Sequence, residues 1–479
     1  MLEVHPKAIP PLDPGFLPAS LWNQAFREKV RSSGEGVPLV IALERDQGRV
    51  SHFRTEILPH EGSNVPLNFR YVERLLKTLL WIKGGFKATL AGGHPDLAEE
   101  IRKAYSPGGP RAFDVEMMGG GGFYDPPFQV EHLPLEKAPE ENETPLPMGG
   151  NLEGCRIGFD LGGSDRKGAA LVDGEVVFSE EIPWDPYFQK DPEYHRAGIL
   201  DTLERCASRL PRVDAIGGSA AGVYMQNKVR VASLFRGVPK DLFEKKVRNL
   251  FLEIQARWGV PFVVVNDGEV AALAGAMALG KGDVLGISMG TSMAAGYVNE
   301  DRRIMGWLDE TAFVPVDYRE GAPADEWSGD LGCGVQYFSQ QAVGRLGPAA
   351  GIERPGGEPL PKYLVRVQEL MSKGDERAAR VYRTIGICFG YALAYFRDFI
   401  PFRNVLVMGR VTSGEGGRII ISGAAEALKA DFPELLETIG FHVPDEKTKR
   451  HGQAVAAASL PSNKKKADEP GKGGMTWSS

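Results

Sequence analysis

Apolar positions along this chain change rhythm several times, and each change marks an element. Residues up to about 30 are Pro-rich and weakly periodic, which predicts an irregular arm or a short helix. Residues 39–44 form an apolar run that reads as a strand, with 48–53 returning as its hairpin partner. Helical spacing then takes over at Val72, Leu75, Leu76, Leu79 and Leu80, which predicts a helix over 69–81. A short strand over 86–90 and a helix over 96–105 complete a small α/β module. The glycine run 119–122 is followed by neither a helix start nor a Lys-Ser/Thr pair, so it reads as a flexible loop before a phosphate cradle. Residues 134–150 are rich in Pro and Glu, a linker composition.

Beyond the linker the rhythm becomes that of an α/β protein. Strands are expected over 156–160, 168–172 and 175–180, the last two joined at Asp173-Gly174. A helix over 198–209 follows, then a strand over 215–219, a helix over 240–258, a strand over 262–266 and a helix over 269–279. Strands over 284–288 and 293–298 form another pair, and the chain then reads as mostly helical until a strand over 404–408 and a helix over 418–430. Alternating strands and helices with antiparallel hairpins imply mixed sheets covered by helices. This divides the chain into an N-terminal α/β module with its linker (1–145), a main region (151–460) and a tail (461–479), expected to be disordered, that carries Lys464, Lys465 and Lys466.

Composition narrows the function classes. At 479 residues, with 42% hydrophobic and 25% charged, the chain is an ordinary globular protein of two or three domains. A net charge of −7 argues against a general nucleic-acid binder. The four cysteines, Cys155, Cys206, Cys333 and Cys388, are scattered without a CxxC pair, which suits reduced thiols. The first residues lack a signal-peptide pattern, and no apolar run reaches the roughly 18 residues of a membrane span, so a cytoplasmic protein is expected.

The chemistry lies where strands end. Asp160-Leu161-Gly162-Gly163-Ser164 delivers an aspartate, then two glycines that expose backbone amides, then a hydroxyl, a concavity suited to phosphate. Asp160 is placed to hold Mg²⁺, directly or through water. Gly290-Thr291-Ser292 repeats the arrangement after the strand over 284–288. Both segments also suit plain hairpin turns. Between them, Val263 to Val265 runs into Asn266-Asp267 at a strand's C-terminal edge, where sites gather in α/β folds. Asp267 suits a general base for an alcohol attacking the γ-phosphate; taken by itself it suits an N-cap for the following helix better, and the two roles can coexist.

In order and spacing these segments resemble the ROK family of sugar kinases and sugar-responsive repressors, which have the actin/hexokinase-type ATPase fold. The likeness runs through Asp160 to Ser164, through Gly217-Gly218-Ser219-Ala220-Ala221-Gly222-Val223, through Val265-Asn266-Asp267 with Ala271-Ala272-Leu273, through Gly290-Thr291-Ser292 and through Val405-Leu406-Val407-Met408-Gly409-Arg410. It spans roughly 155–460. It implies a two-lobed, ribonuclease H-like fold of duplicated mixed sheets, with the N-terminal α/β module as an extension. It implies ATP and Mg²⁺ as cofactors and a small sugar as substrate, with no nucleic-acid or membrane partner, and it is compatible with a homodimer. By the same resemblance Asp267 is the base. Asn266, Glu310 and Gly222 shape the sugar site. Gly162, Gly163, Ser164, Gly290, Thr291 and Ser292 hold phosphates, while Gly409 and Arg410 lie beside adenosine.

The chain departs from the family at three places. Where the family has Glu-x-x-His, this chain has Glu310 followed by Phe313, and its cysteine-rich zinc loop falls on 329–339, where Cys333 stands alone and Val335 replaces a glutamate. Neither Phe313 nor Val335 can ligate zinc or hydrogen-bond a sugar, so no structural zinc and an altered pocket are expected. Ser292 and Ala295 replace glycines of the second turn. The N-terminal module shows no helix-turn-helix pattern. Phosphorylation of a hexose-type hydroxyl is the function implied, and a non-catalytic sugar sensor or scaffold on the same fold is its rival.

Overall fold

The computed structural model describes residues 2–444 and 446–462. Its first four strands, β1 (Val37–Arg45), β2 (Arg49–Ile57), β3 (Lys87–Gly92) and β4 (Gln129–Leu133), form one sheet in the order β2-β1-β3-β4. The β1–β2 hairpin is the expected one, with β4 as an addition running parallel to β3. The N-terminal arm is more regular than its Pro content suggests. Ala19–Ser33 is a full helix because Trp22, Phe26 and Val30 recur on one face and are buried. The glycine run is also tied down, with Gly120 N–H donating to Pro126 O and Gly121 N–H to Tyr124 O, each at 2.9 Å.

The helix predicted over 69–81 extends over Val65–Lys83. Besides the apolar stripe it buries Glu73, Lys77 and Thr78, so it packs on both sides. One side meets its own sheet. The other meets the main region, and a single hydrophobic core runs from Trp22 and Leu75 to Tyr337, Phe389 and Val405.

The main region holds two further sheets. In the first, β5 (Cys155–Leu161), β6 (Asp165–Val172), β7 (Glu175–Pro183), β8 (Ala215–Ala220) and β11 (Phe262–Asn266) take the order β11-β8-β5-β6-β7, with a small ribbon of β9 (Val223–Met225) and β10 (Lys228–Val231) beside it. In the second, β12 (Val284–Met289), β13 (Met293–Val298), β14 (Asn404–Met408) and β15 (Gly440–His442) take the order β13-β12-β14-β15. In both, a central strand has an antiparallel neighbour on one side and two parallel strands on the other.

Two helices lie between these sheets, Asp267–Leu279 and Glu446–Ala458. The latter approaches the first sheet so closely that a Cβ on Gly158 or Gly217 would overlap the carbonyls of Ala454 or Ala457. Its end is fixed by Arg156, fully buried, whose guanidinium donates to Ala458 O at 3.2 Å and Pro461 O at 2.8 Å.

Three expectations need correction. The single helix over 240–258 is broken into Lys240–Leu242, a π-turn over Phe243–Val247 and a helix over Leu250–Trp258. The stretch before Asn404 is helical only from Gln340; residues 300–339 are largely irregular, because prolines and positive-φ glycines such as Gly306, Gly329 and Gly332 punctuate them. The Pro/Glu-rich linker is a bound strap. Asn142 exchanges backbone hydrogen bonds with Val50, Leu146 N–H donates to Ile304 O at 2.9 Å, and Glu143 pairs with Arg45 at 2.6 Å. The predicted tail, with its three lysines, lies outside the described residues from 463 onward.

Candidate functional site

The strand β11 ends on Asn266, and the next residue opens the helix Asp267–Leu279. Asn266 is the N-cap, its Oδ1 accepting the Gly268 N–H at 2.7 Å while its Nδ2 donates to Gly222 O at 2.7 Å. The cap role open to Asp267 is therefore filled by its neighbour, and the Asp267 carboxylate is left for other work. Gly222 is required here by its backbone, with φ at +135° and the Val231 carbonyl 2.5 Å from where a Cβ would stand. Gly268 and Gly296 let the turn press against β13, since a Cβ on either would collide with the other segment's backbone.

Asp267 is half-buried in a group of carboxylates. Burial pushes its carboxyl up to about 6, and the negative charge of Asp160 adds to the shift. Glu310 is raised to about 8, by burial first and then by Asp267 and Asp309. Asp160 lies on β5, where its Oδ1 accepts a hydrogen bond from Ser219 Oγ at 2.6 Å. Lys167 Nζ stands 3.7 Å from Asp160 Oδ2 and 3.3 Å from Asp165 Oδ1. Lys167 is a site residue missed in the sequence, although the β5–β6 hairpin puts it directly across from Asp160. Burial raises the Asp160 carboxyl, and the Ser219 hydroxyl and Lys167 pull it back.

The two glycine turns are hairpin turns in geometry. Gly162 N–H donates to Asp165 O at 3.0 Å and Gly290 N–H to Ser292 O at 2.9 Å, leaving Ser164, Thr291 and Ser292 exposed at the strand ends. A hairpin turn and a phosphate cradle are compatible, because these hydroxyls are exposed, although the Ser164 hydroxyl donates to Asp165 Oδ2 at 2.8 Å. Gly409, with φ at +101°, brings the end of β14 against Met289 at the end of β12. Beside it opens a cleft of about 700 Å³ lined by Ala271, Ala274, Gly275, Ser288, Met408, Gly409 and the exposed Arg410. The helix that Asp267 opens thus offers Ala271, Ala274 and Gly275 to this cleft, with Asp267 one turn before them.

The altered loop is held by the N-terminal module. The last turn of an α-helix has carbonyls without partners. In Val65–Lys83, Trp81 O and Ile82 O are taken by the backbone N–H groups of Glu310 and Asp309, at 2.9 and 3.0 Å. Phe313 stacks on Trp81 with ring centroids 4.1 Å apart, and Val335 lies in the core. Where a zinc loop was weighed, Asp330 accepts Lys77 at 3.1 Å, Arg74 at 3.1 Å and Arg111 at 2.8 Å, and Lys77 also meets Asp114 at 3.0 Å. Lys77 is fully buried; burial alone would neutralise it, but Asp114 and Asp330 hold its ammonium well above the ordinary lysine range.

Among the described residues, no group of three or more His, Cys, Asp or Glu side chains is placed to hold a metal ion. Mg²⁺ does not need one, since it retains waters and is bound through one or two carboxylates plus substrate phosphates. Asp160 beside Asp267 fits that water-mediated role. No helix among the described residues is long and apolar enough to cross a membrane.

No protein-family model and no curated protein matches the chain. Solved structures do. The chain is similar to a ROK hexokinase from Thermus thermophilus, at 19% identity and a TM-score of 0.51, over 64% of this chain and 96% of that one. It is equally similar to a ROK family transcriptional regulator described as a homologue of the E. coli MLC protein, at 18% identity and a TM-score of 0.51, over 64% of this chain and 79% of that one. The chain therefore has the ROK-type fold. One of these relatives is a kinase and the other a regulator, so the fold alone does not choose an activity.

Proposed function

We propose that the protein is an ATP-dependent kinase of a sugar hydroxyl, with Asp267 as general base. The observation that carries this reading is the Asn266-Asp267 turn. Its asparagine takes the structural duty, and its aspartate is a half-buried carboxyl raised to about 6, beside a nucleotide-sized cleft. A base titrating near the working pH accepts a proton more effectively than an ordinary aspartate.

The sugar would lie between Asp267 and Glu310, with Gly222 and Asn266 forming the wall. ATP would occupy the 700 Å³ cleft, with adenosine at Gly409 and Arg410 and its phosphates between Gly162-Gly163-Ser164 and Gly290-Thr291-Ser292. Lys167 and the exposed turn hydroxyls would meet phosphate charge. Bound Mg²⁺ would neutralise that charge near Asp160. The two sheets with their helices would form two lobes that close, exclude water and align the hydroxyl. Asp267 takes the hydroxyl proton as the oxygen bonds to the γ-phosphorus and ADP leaves; positioning supplies most of the rate.

A sensor on the same scaffold is the second reading. It is favoured by Phe313 and Val335, which give apolar groups to packing where the resembled family gives polar ones to the sugar. The test is ADP release from Mg-ATP across hexoses, amino sugars, sugar acids and polyols, with Asp267→Asn alongside. A kinase shows sugar-dependent release that falls about 10²- to 10⁴-fold in the variant, while sugar binding stays within about tenfold. Sugar binding without any ADP release would replace the kinase with the sensor.

A further inference from the structure

The N-terminal module does more than cover the second sheet. Its β1–β2 turn and Tyr124 reach the edge of the first sheet, where Asp125 pairs with Arg230 at 2.6 Å and Lys228 at 3.5 Å, and Asp46 accepts Gln226 Nε2 at 3.4 Å. Behind this contact lies a cavity of about 490 Å³, the size of a small-metabolite site. Asn266 and Glu269 form part of its wall. Residue 269 is about 200° around the helix from 267, at 3.6 residues per turn. The cavity therefore lies at the back of the helix whose front carries Asp267, apart from the nucleotide cleft.

The lining is chemically specific. Arg45 and Arg49 both contribute, and among the described residues the Nε of each is buried without a hydrogen-bond partner. Arg45 is 3% exposed and its charge is met by Glu143 at 2.6 Å. Arg49 forms no ion pair among the described residues and spends one guanidinium nitrogen on Gln47 at 3.0 Å. Burial, then the neighbouring Arg45 charge, holds the Arg49 guanidinium below the ordinary arginine range, the mark of an uncompensated cation. Tyr124 supplies a flat apolar face. Trp307, whose ring carries the Lys83 ammonium at 3.0 Å and stacks on Tyr297, lines the wall. Asp46 and Gln255 supply hydroxyl-binding oxygens.

We infer that this seam is a second ligand site, for an anionic sugar: a polyol ring bearing one acidic group, phosphate or carboxylate. The guanidinium pair takes the acid, the carboxylate and amide take ring hydroxyls, and the Tyr124 face takes the ring's C–H surface. Because Asn266 caps the catalytic helix and also lines the seam, occupancy bears on the turn that carries Asp267. The inference does not depend on the kinase reading, since a sensor would carry the same seam.

The test is calorimetric titration of the full chain with glucose 6-phosphate, with glucuronate and with neutral glucose, in the wild type, Arg49→Gln and Val263→Phe. Arg49→Gln removes the unpaired cation from the start of β2, where no ion pair among the described residues is lost, and Val263→Phe fills the cavity from β11; the melting temperature of each variant checks that the fold is kept. The expected result is binding of at least one of the two anions, weakened about tenfold or more by either variant, while neutral-sugar binding is unaffected. Whichever anion binds tells phosphate from carboxylate. The inference fails if neither anion binds, or if anion binding survives both variants and is displaced by excess neutral sugar, which places it in the catalytic cleft. Loss of ADP release in the kinase assay leaves this titration untouched, so the two readings fail separately.

Discussion

The two sheets of the main region share a strand order but differ in what completes them. The first sheet is finished by its own third antiparallel strand, β7, paired along its length with β6. The second sheet stops at β13, and where a third strand would follow there is only a bridge between Val298 and Ile304. From there the chain turns away to the helix Val65–Lys83, which takes the Asp309 and Glu310 N–H groups on its terminal carbonyls. The Tyr297 N–H on that edge is taken by the Asp309 carboxylate at 3.0 Å, so a segment fixed on the N-terminal helix caps the edge. The difference teaches that the second half of the main region relies on the N-terminal module to fix its irregular segment, whereas the first half is finished by its own chain and meets the module at the β9–β10 ribbon.

The sharpest way to break that comparison is Lys77→Met. The substitution keeps volume but strands Asp114 and Asp330 as buried carboxylates facing no lysine, with Asp330 retaining Arg74 and Arg111. Breaking a buried pair costs about 3–5 kcal/mol. Urea denaturation should show a loss of that size in one transition that includes the main region, because the core is continuous. A variant that melts in two phases, with the main region at its original midpoint, would show the module to be an appendage.

How much of this was legible in the sequence follows the same division. The first sheet and its motifs could be read locally: a phosphate turn needs glycines beside hydroxyls, and a base at a strand end needs only the strand before it. Even Lys167 was implicit in the hairpin register. The part that meets the N-terminal module could not be read that way. Glu73, Lys77 and Thr78 interrupt the apolar stripe of their helix and so look solvent-facing, yet they are buried because their partners arrive from afar; Arg74 and Asp330 are 256 residues apart in the chain. No local pattern records such a pairing. The strap over 134–150 was hidden for the same reason: its Pro/Glu composition matches a linker, and the Arg45, Ser51 and Trp307 side chains that hold Glu143 lie far from it in the chain.

Within the second half, at the cleft proposed for the nucleotide, the comparison is sharpened by Gly409→Ala. A methyl group there meets Met289 backbone atoms at 2.5–2.6 Å, and the backbone sits at a φ of +101°. Neither conflict can be relieved by a side chain, so a cost of about 1–3 kcal/mol is expected. Its functional effect should be one-sided. The KM for ATP should rise several-fold while sugar affinity stays unchanged, since Gly409 lies at the cleft and not at Glu310. Steady-state kinetics with each substrate varied in turn decides this; equal losses for both would mean that the halves are less separable than their architecture suggests.

The smallest effect expected is that of pH, and it joins the two halves. Asp267 must be unprotonated to accept the hydroxyl proton, and its carboxyl is raised to about 6. Below that pH, kcat/KM should fall about tenfold per unit. Glu310, raised to about 8, carries its proton at neutral pH and can donate a hydrogen bond to a sugar oxygen. Above pH 8 that donor is lost and a second negative charge stands beside Asp267. A bell-shaped profile follows, its two limbs belonging to the carboxyl pair as a unit. Glu310→Gln keeps a donor that cannot ionise, so it should erase the alkaline limb and leave the acid one in place, because Glu310 is already uncharged where Asp267 titrates. A profile flat from pH 5 to 9, or an alkaline limb that survives the substitution, would remove Glu310 from the sugar site and leave the module's grip on it a matter of packing alone.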